Sequence, residues 1–253
     1  MLSGESCLRE VSAYLLDHGH FAGVPPTTFV EVVHRSLKYV PFTGLEVTGE
    51  AYFEMMASLI QPVGTVEQAA TGLNKSILNA STNTSGGTLG DRVIKKLSQD
   101  TQIGLKFGSL QMFCENEGAI ENFSSDNFHK DEVHKIAILD LRLLNLDRND
   151  QNILVKIKTK EELKDGVKIR RRVRTLVPID HGLCIPDNLA VCSFDLAWLG
   201  WRQASLPFSK KSLDYIEKLD AMKDIKLLER TFKFRPICLR NIRISTMLLQ
   251  KGA

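Results

Sequence analysis

The chain has 253 residues, 43% of them hydrophobic and 25% charged, with a formal net charge of only +3. That is ample material for a globular core in one large domain or two lobes, and it leaves no strong overall field to draw in a polyanion. No stretch approaches the ~18 apolar residues of a membrane span and no signal-peptide pattern opens the chain, so any membrane role is peripheral. Five cysteines, an odd count without metal-ligand spacing, suit free thiols in a reducing, cytoplasmic compartment.

Residues 3–17 read as an amphipathic helix with Leu8, Val11, Tyr14 and Leu15 on its apolar face, Glu10 beside it and Gly19 ending it. Residues 24–33, VPPTTFVEVV, read as a strand entered through two prolines. Residues 49–61 have helical periodicity, and residues 81–90, STNTSGGTLG, read as a polar linker. A strand is predicted over 105–113, then a polar connector over 118–129 in which Ser125 or Asp126 starts the next helix. Residues 132–144 read as that helix, with Val133, Ile136, Ala137, Asp140 and Leu143 or Leu144 at helical spacing.

The stretch IAILDLRLLNLDRNDQNILV at 136–155, with VPIDHG at 177–182, organises the rest. It places Asp147, Arg148 and Asn152 in one short loop and Asp180 just past the second of two β-rich runs, 152–157 and 175–179. An Asp and an Asn five positions apart, then a second Asp beyond the next strand, is the order of a kinase-type active site. The first Asp accepts a proton from the attacking hydroxyl. The Asn amide oxygen and the second Asp suit Mg²⁺, which needs only one or two protein carboxylates. The plain alternative is two surface turns.

Between these acids, residues 156–174 carry nine basic residues against three acidic ones, a net +6 that exceeds the whole chain's charge. Asp165-Gly166 makes a β-hairpin its natural shape. Lys168, Arg170, Arg171, Arg172 and Arg174 are candidates for an anionic membrane surface, with a solvated hairpin as the plain alternative. Without interleaved aromatics for base stacking, nucleic acid is not the expected partner. Residues 194–201, FDLAWLGW, read as a core helix or lobe anchor. Residues 209–228 read as two helices with N-cap residues at 209–212. After Arg235-Pro236 breaks the pattern, residues 238–251 form a last helix with Ile242, Ile244, Met247, Leu248 and Leu249 inward.

The DRNDQN loop, VPIDHG, and the stretches LREVSAYLLDHGHFAGVPPT, KFGSLQMF, EVHKIAILDLRLLN, SLDYIEKLDAMKDIKLL and RISTMLLQKGA together resemble the phosphatidylinositol 3-/4-kinase superfamily. The similarity is closest to the plant-type gamma phosphatidylinositol 4-kinases and covers most of the chain outside roughly 37–102 and 156–174. The resemblance implies an α+β, two-lobed, protein-kinase-like fold with an incomplete N-terminal lobe and a mostly helical C-terminal lobe. Residues 1–115 would be the partial small lobe and hinge, with an inserted segment at 37–102, and residues 116–253 the C-terminal catalytic lobe. It implies ATP and Mg²⁺ as cofactors and phosphatidylinositol in an anionic membrane surface as substrate, phosphorylated at the inositol 4-hydroxyl. It assigns catalysis to Asp147, Arg148 and Asn152, with Arg148 bracing the loop, and metal binding to Asn152 and Asp180. Nucleotide binding falls to Glu10, to the hinge residues Gln111, Met112, Phe113 and Cys114, and to Asp180. Glu10 would pair with a lysine of the small lobe, a solvated helix carboxylate being the alternative.

That lysine lies on a strand before the Glu10 helix in the family, and the chain shows neither it nor the Gly-rich hairpin; the C-terminal lobe is likewise expected to continue past Ala253. Three readings stay open: the lipid kinase, a protein Ser/Thr kinase using the same loop, and a truncated pseudokinase or scaffold.

Overall fold

The computed structural model describes residues 5–34, 104–164, 167–188 and 195–253. The readings over 37–102, at the Asp165-Gly166 tip and at Phe194 lie outside them. Five α-helices are described: α1 Glu5–Leu16, α2 Lys130–Leu143, α3 Lys210–Glu217, α4 Ala221–Thr231 and α5 Pro236–Gly252. The strands are β1 Thr27–His34, β2 Gly104–Gln111, β3 Asp147–Arg148, β4 Ile153–Lys164, β5 Val167–Pro178 and β6 Asp195–Leu196. β1 pairs with β2, β3 runs parallel to β6, and β4 and β5 form an antiparallel hairpin. The chain divides into one unit of Met1–Val30 with Gly108–Ala253 and a second of Glu31–Phe107. Of the second, only the far end of β1 and the start of β2 are described.

The first unit is built around α2. Val133, Ile136, Ala137, Ile138, Leu139 and Leu143 are all buried, as are the polar His134, Asp140 and Arg142, so burial runs round most of the helix, the mark of a helix inside a core. Leu139 and Leu143 meet α1, α4 and α5 in one cluster. Val133, Ile136 and Ala137 meet Ile153, Val155 and Leu176 of the hairpin and Trp198 in a second. Ile138 packs with Ile216, Leu219 and Leu249 in a third. The N-cap of α2 is His129, whose ring accepts from the Asp131 N–H, in place of the expected Ser125 or Asp126. Those two residues sit in a separate 3-10 turn upstream.

α1 begins at Glu5 and ends at Leu16, two residues before the 3-10 turn that holds Gly19. The Asp17 carboxylate accepts from the N–H groups of Ala22, Gly23 and Val24 and so fixes the turn into β1. Buried Arg142 donates to the Leu16 carbonyl and pairs with Asp224 of α4 at 2.5 Å. Buried Arg9 donates to the carbonyls of Cys184 and Ile185 and to Glu5. Glu5 and Asp187 both pair with Arg235. These ties seat α1 against the segment that follows Asp180.

α3 and α4 are capped by Ser209 and Asp220. Pro236 occupies the first turn of α5, where its missing N–H is harmless, so the helix starts two residues before the expected 238. The inward face of α5 carries Cys238, Leu239, Ile242, Ser245, Thr246 and Leu249. Ile242 and Leu249 are buried as expected, whereas Ile244, Met247 and Leu248 face outward. The polar Ser245 takes an inward place because its hydroxyl donates to the Arg142 carbonyl at 2.5 Å. Residues 195–200 of the FDLAWLGW stretch form β6 and a 3-10 turn, Ala197–Gly200, rather than an α-helix, and buried Trp198 anchors them. The four described cysteines, Cys7, Cys114, Cys184 and Cys238, are free. No described helix is long and apolar enough to cross a membrane.

Candidate active site

The site forms at the base of the β4–β5 hairpin. Register pairs Ile153 with Pro178, and the Ile179 N–H continues the ladder by donating to the Asn152 carbonyl at 3.0 Å. Two residues 28 apart in sequence, Asn152 and Asp180, are thereby carried to one end of a rigid ribbon. On the other side of the loop, β3 pairs Asp147 with Asp195 and Arg148 with Leu196, and the Asp195 N–H donates to the Leu146 carbonyl.

Arg148 is 0% exposed and its guanidinium holds the loop together. Nε donates to both oxygens of Asp140 at 3.1 and 3.2 Å. Nη1 donates to the carbonyls of Asn152, at 2.8 Å, and Ile179. Nη2 lies 3.1 Å from Asp140, off the line of a hydrogen bond. One side chain thus clamps the loop, the first residue of the ladder and the residue before Asp180. Buried Asp140, on α2, also accepts from Trp198 Nε1 at 2.9 Å and Asn145 Nδ2 at 3.0 Å. A buried charge pair of this kind holds only when its remaining lone pairs are satisfied, as Trp198 and Asn145 do here.

Asp147 is half-buried. Its backbone N–H donates to Asn145 Oδ1 at 3.2 Å, and its Oδ1 accepts from Asn149 Nδ2 at 2.8 Å, which leaves Oδ2 for another partner. Asn149 is held in turn as the N-cap of the turn Asp150–Asn152. Asn152 Nδ2 donates to the Asp147 carbonyl at 2.9 Å, which turns Oδ1 away as a free acceptor. Asp180 is exposed and adopts φ +52°, a left-handed conformation that Asp tolerates through its short polar side chain. Gly182 follows. A Cβ there would collide with the Ser6 hydroxyl, so any larger residue would force that side chain of α1 to turn away.

Glu10 reaches this turn from α1. Its Oε1 accepts the His181 N–H at 2.6 Å and Oε2 lies 3.4 Å from His181 Nδ1. Partial burial pushes the Asp180 carboxyl up from its ordinary range, and the charges of Glu10 and Asp147 push it further. Burial raises Glu10 as well, against the hydrogen bonds from His181 and Gly182 that lower it. Complete burial holds the His181 imidazole down to about 3, with Arg148 adding to the effect, so the ring is neutral and serves packing. Glu10, Asp147 and Asp180 together make a negatively charged pocket in which Asp180 bears the repulsion of the other two, and a divalent cation relieves it. Among the described residues no three His, Cys, Asp or Glu side chains form a ready metal cage. The donor set that is present, one carboxylate and one amide oxygen, is what a largely hydrated Mg²⁺ takes.

The raised carboxyls carry a pH signature. A carboxyl whose folded pKa lies above its unfolded one contributes stability that is complete below the ordinary carboxylate range and is lost as pH rises through the raised value. Glu10→Gln keeps an acceptor for His181 and removes one of the three charges. The Tm gain of this variant over the parent, in chelator, is expected to be larger at about pH 7.5 than at about pH 4.5. A gain independent of pH contradicts the coupling.

The expected hinge, Gln111 to Cys114, runs directly on from β2. Gln111 ends β2, and its Nε2 donates to Thr27 Oγ1. The Met112 N–H is spent on the Pro26 carbonyl at 2.8 Å, and the Cys114 carbonyl accepts from Asn116. The Phe113 side chain is 83% exposed. Of the basic run, Lys168, Arg170, Arg172 and Arg174 are exposed at alternate positions of β5, so they share one face of the ribbon, while the side chain of Arg171 is not among those described. Reading the sequence missed Asn149, and it took Asp140 as one more residue at helical spacing. The available signal for Asp140 was a carboxylate on an otherwise apolar helix face, eight residues before an arginine.

Comparison with known proteins agrees with this geometry. The family model described as "Phosphatidylinositol 3- and 4-kinase" matches residues 2–253. "Phosphatidylinositol 4-kinase gamma 6" of Arabidopsis thaliana is 34% identical over 251 residues, covering 99% of this chain and 32% of that protein. "Phosphatidylinositol 4-kinase gamma 3" of the same plant is 35% identical over 263 residues, 99% of this chain and 34% of that one. "Phosphatidylinositol 4-kinase gamma 4" of Oryza sativa subsp. japonica is 34% identical over 261 residues, again 99% and 32%. The chain thus spans about a third of the length of these relatives. A mixed α+β fold, the DRNDQN loop clamped to the hairpin base and a family match over nearly every residue agree: the chain belongs to the phosphatidylinositol 3- and 4-kinase family.

Proposed function

We propose that this chain is an ATP-dependent phosphotransferase that acts on the inositol 4-hydroxyl of phosphatidylinositol at a membrane surface. The observation that carries the reading is the convergence of Asp147, Asn152 and Asp180 at the hairpin base, under one buried arginine. The relatives' names supply the substrate.

Asp147, oriented through Oδ1 by Asn149, uses its other oxygen to align the acceptor hydroxyl and take its proton as the hydroxyl oxygen bonds to the γ-phosphorus of ATP and the bond from the γ-phosphorus to the β–γ bridging oxygen breaks, releasing ADP. Asn152 Oδ1 and the Asp180 carboxylate are the groups that would hold Mg²⁺. When bound there, the ion neutralises charge on the transferring phosphate. Arg148 touches none of the reacting atoms. It is a positioning residue that fixes the loop and the start of the Asp180 turn as one body. Glu10 holds the His181 N–H and so sets the angle of that turn. The hinge from Gln111 to Cys114 would lie along the adenine, with the Met112 N–H and the Cys114 carbonyl already committed within the chain.

The test is transfer from labelled ATP, with Mg²⁺, to phosphatidylinositol vesicles or to a generic protein acceptor. Label on the lipid, at the 4-position, supports the reading. Label on the protein acceptor alone, or nucleotide binding without transfer, overturns it.

The exposed row Lys168, Arg170, Arg172 and Arg174 would draw the protein to anionic lipid, roughly 1 kcal/mol per basic residue near the surface. Arg172→Gln with Arg174→Gln is expected to weaken binding to phosphatidylserine vesicles about 10- to 30-fold at low salt, measured by co-sedimentation, and less as salt rises. Unchanged binding assigns the row to solvent.

A further inference from the structure

The hairpin's other basic residues have a separate setting. A cavity of about 400 Å³ lies against β4, β5, α2 and the turn into β1. None of Asp147, Asn152 or Asp180 lines it. Lys135, Lys156, Lys158 and His20 are the basic residues among those that line it, Glu132 is the one acidic residue, and Pro25, Pro26 and Val177 are apolar.

Glu132 is already committed. Its Oε2 accepts the Leu176 N–H at 2.8 Å and lies 2.6 Å from Lys135 Nζ. Gly23, at φ +84°, brings the backbone under that ammonium: a Cβ there would stand 3.8 Å from Lys135 Nζ. Lys156 and Lys158 differ. They stand two apart on one face of β4, so their backbone positions are ~6.6 Å apart. Their cross-strand neighbours are Thr175 and Val173, which carry no charge, and Thr175 spends its hydroxyl on the Lys156 carbonyl. No carboxylate among the described residues lies within ion-pair distance of either. Two like charges at one wall of a concavity repel each other until an anion joins them.

The dimensions select the anion. Small-molecule pockets run from ~300 to ~1,000 Å³, so this one takes an organic molecule of sugar size rather than a single halide. Ammonium groups are compact point charges suited to phosphate. Two of them on one wall fit a ligand with more than one phosphoryl group, whose carbon skeleton rests on the proline and valine surface. We propose that this cavity binds a small polyol or sugar carrying two or more phosphates, at a site that borders the proposed nucleotide hinge at Cys114 and contains none of the catalytic or cation-binding residues. The ligand's source is either a free metabolite or the headgroup of a membrane phosphoinositide.

Cys114, a half-buried thiol on the cavity wall, reports on the site. The experiment measures iodoacetamide labelling at Cys114 by mass spectrometry, without nucleotide or divalent ion. The probes are inositol trisphosphate, and vesicles containing a phosphatidylinositol bisphosphate. Saturating inositol trisphosphate is expected to slow labelling at Cys114 about fivefold or more and to leave Cys7 unchanged. Lys156→Gln with Lys158→Gln removes the protection. Arg172→Gln with Arg174→Gln keeps it, and so does Asp180→Asn, which separates this site from the catalytic reading. Buried Cys184 and Cys238 staying unlabelled verifies the fold in each variant. Lys158→Gln alone, at an exposed position, serves should the pair unfold, and is expected to weaken the protection. Protection by both probes assigns the headgroup, and protection by the soluble probe alone assigns a free phosphate. No protection by either probe, protection that survives loss of the lysines, or protection lost with Asp180→Asn overturns the proposal.

Discussion

Asp147→Asn is expected to lower phosphate transfer to phosphatidylinositol by about 10²–10⁴-fold, the range that a positioned general base supplies. The change is nearly isosteric. Asparagine still accepts from Asn149 and keeps its backbone bond to Asn145, so the loop stays folded. What disappears is the basic oxygen that takes the hydroxyl proton. Nucleotide affinity is expected to stay within about threefold, since Asp147 is not among the proposed cation ligands. The fall therefore belongs to kcat. Single-turnover transfer from labelled ATP measures it, beside nucleotide binding by fluorescence. Transfer within about threefold of the parent removes Asp147 from the chemistry.

Arg148→Met should be the most destabilising single change in the described structure. It strands the buried Asp140 carboxylate and frees the carbonyls of Asn152 and Ile179. Breaking one side of a buried ion pair costs on the order of 3–5 kcal/mol, a large part of a domain's ~5–15 kcal/mol. Denaturant unfolding measures the loss. The double change Arg148→Met with Asp140→Leu should recover part of it, because the uncompensated charge leaves as well. Recovery stays partial because Trp198 Nε1 and Asn145 Nδ2 then lose their acceptor. A loss below about 1 kcal/mol in the single variant contradicts the clamp.

Much of this arrangement was legible from local pattern. The α2 periodicity, the β-rich runs and Asp165-Gly166 between them called for a helix, a loop and a hairpin. Once the hairpin forms, its ladder brings Asn152 and Asp180 together without further instruction. What stayed hidden depends on distant partners. The contact of Glu10 with the His181 N–H spans 171 residues, and nothing near Glu10 announces it. Asp140 reads as an ordinary helix residue until Arg148 and Trp198, 8 and 58 positions away, are folded against it. The face of α5 was misread because Ile244, Met247 and Leu248 look inward on hydrophobicity alone. The Ser245 hydroxyl bond to Arg142 shows which side is buried.

Asn152 and Asp180 are proposed to share one cation with the nucleotide at the hairpin base. Mn²⁺ takes the same hard oxygen ligands as Mg²⁺ and is visible by electron paramagnetic resonance. Titrating it against the protein in the presence of ATP should show one nucleotide-dependent ion per chain. Asn152→Ala and Asp180→Ala should each weaken it about tenfold or more. Binding that is unchanged in both variants would contradict the account.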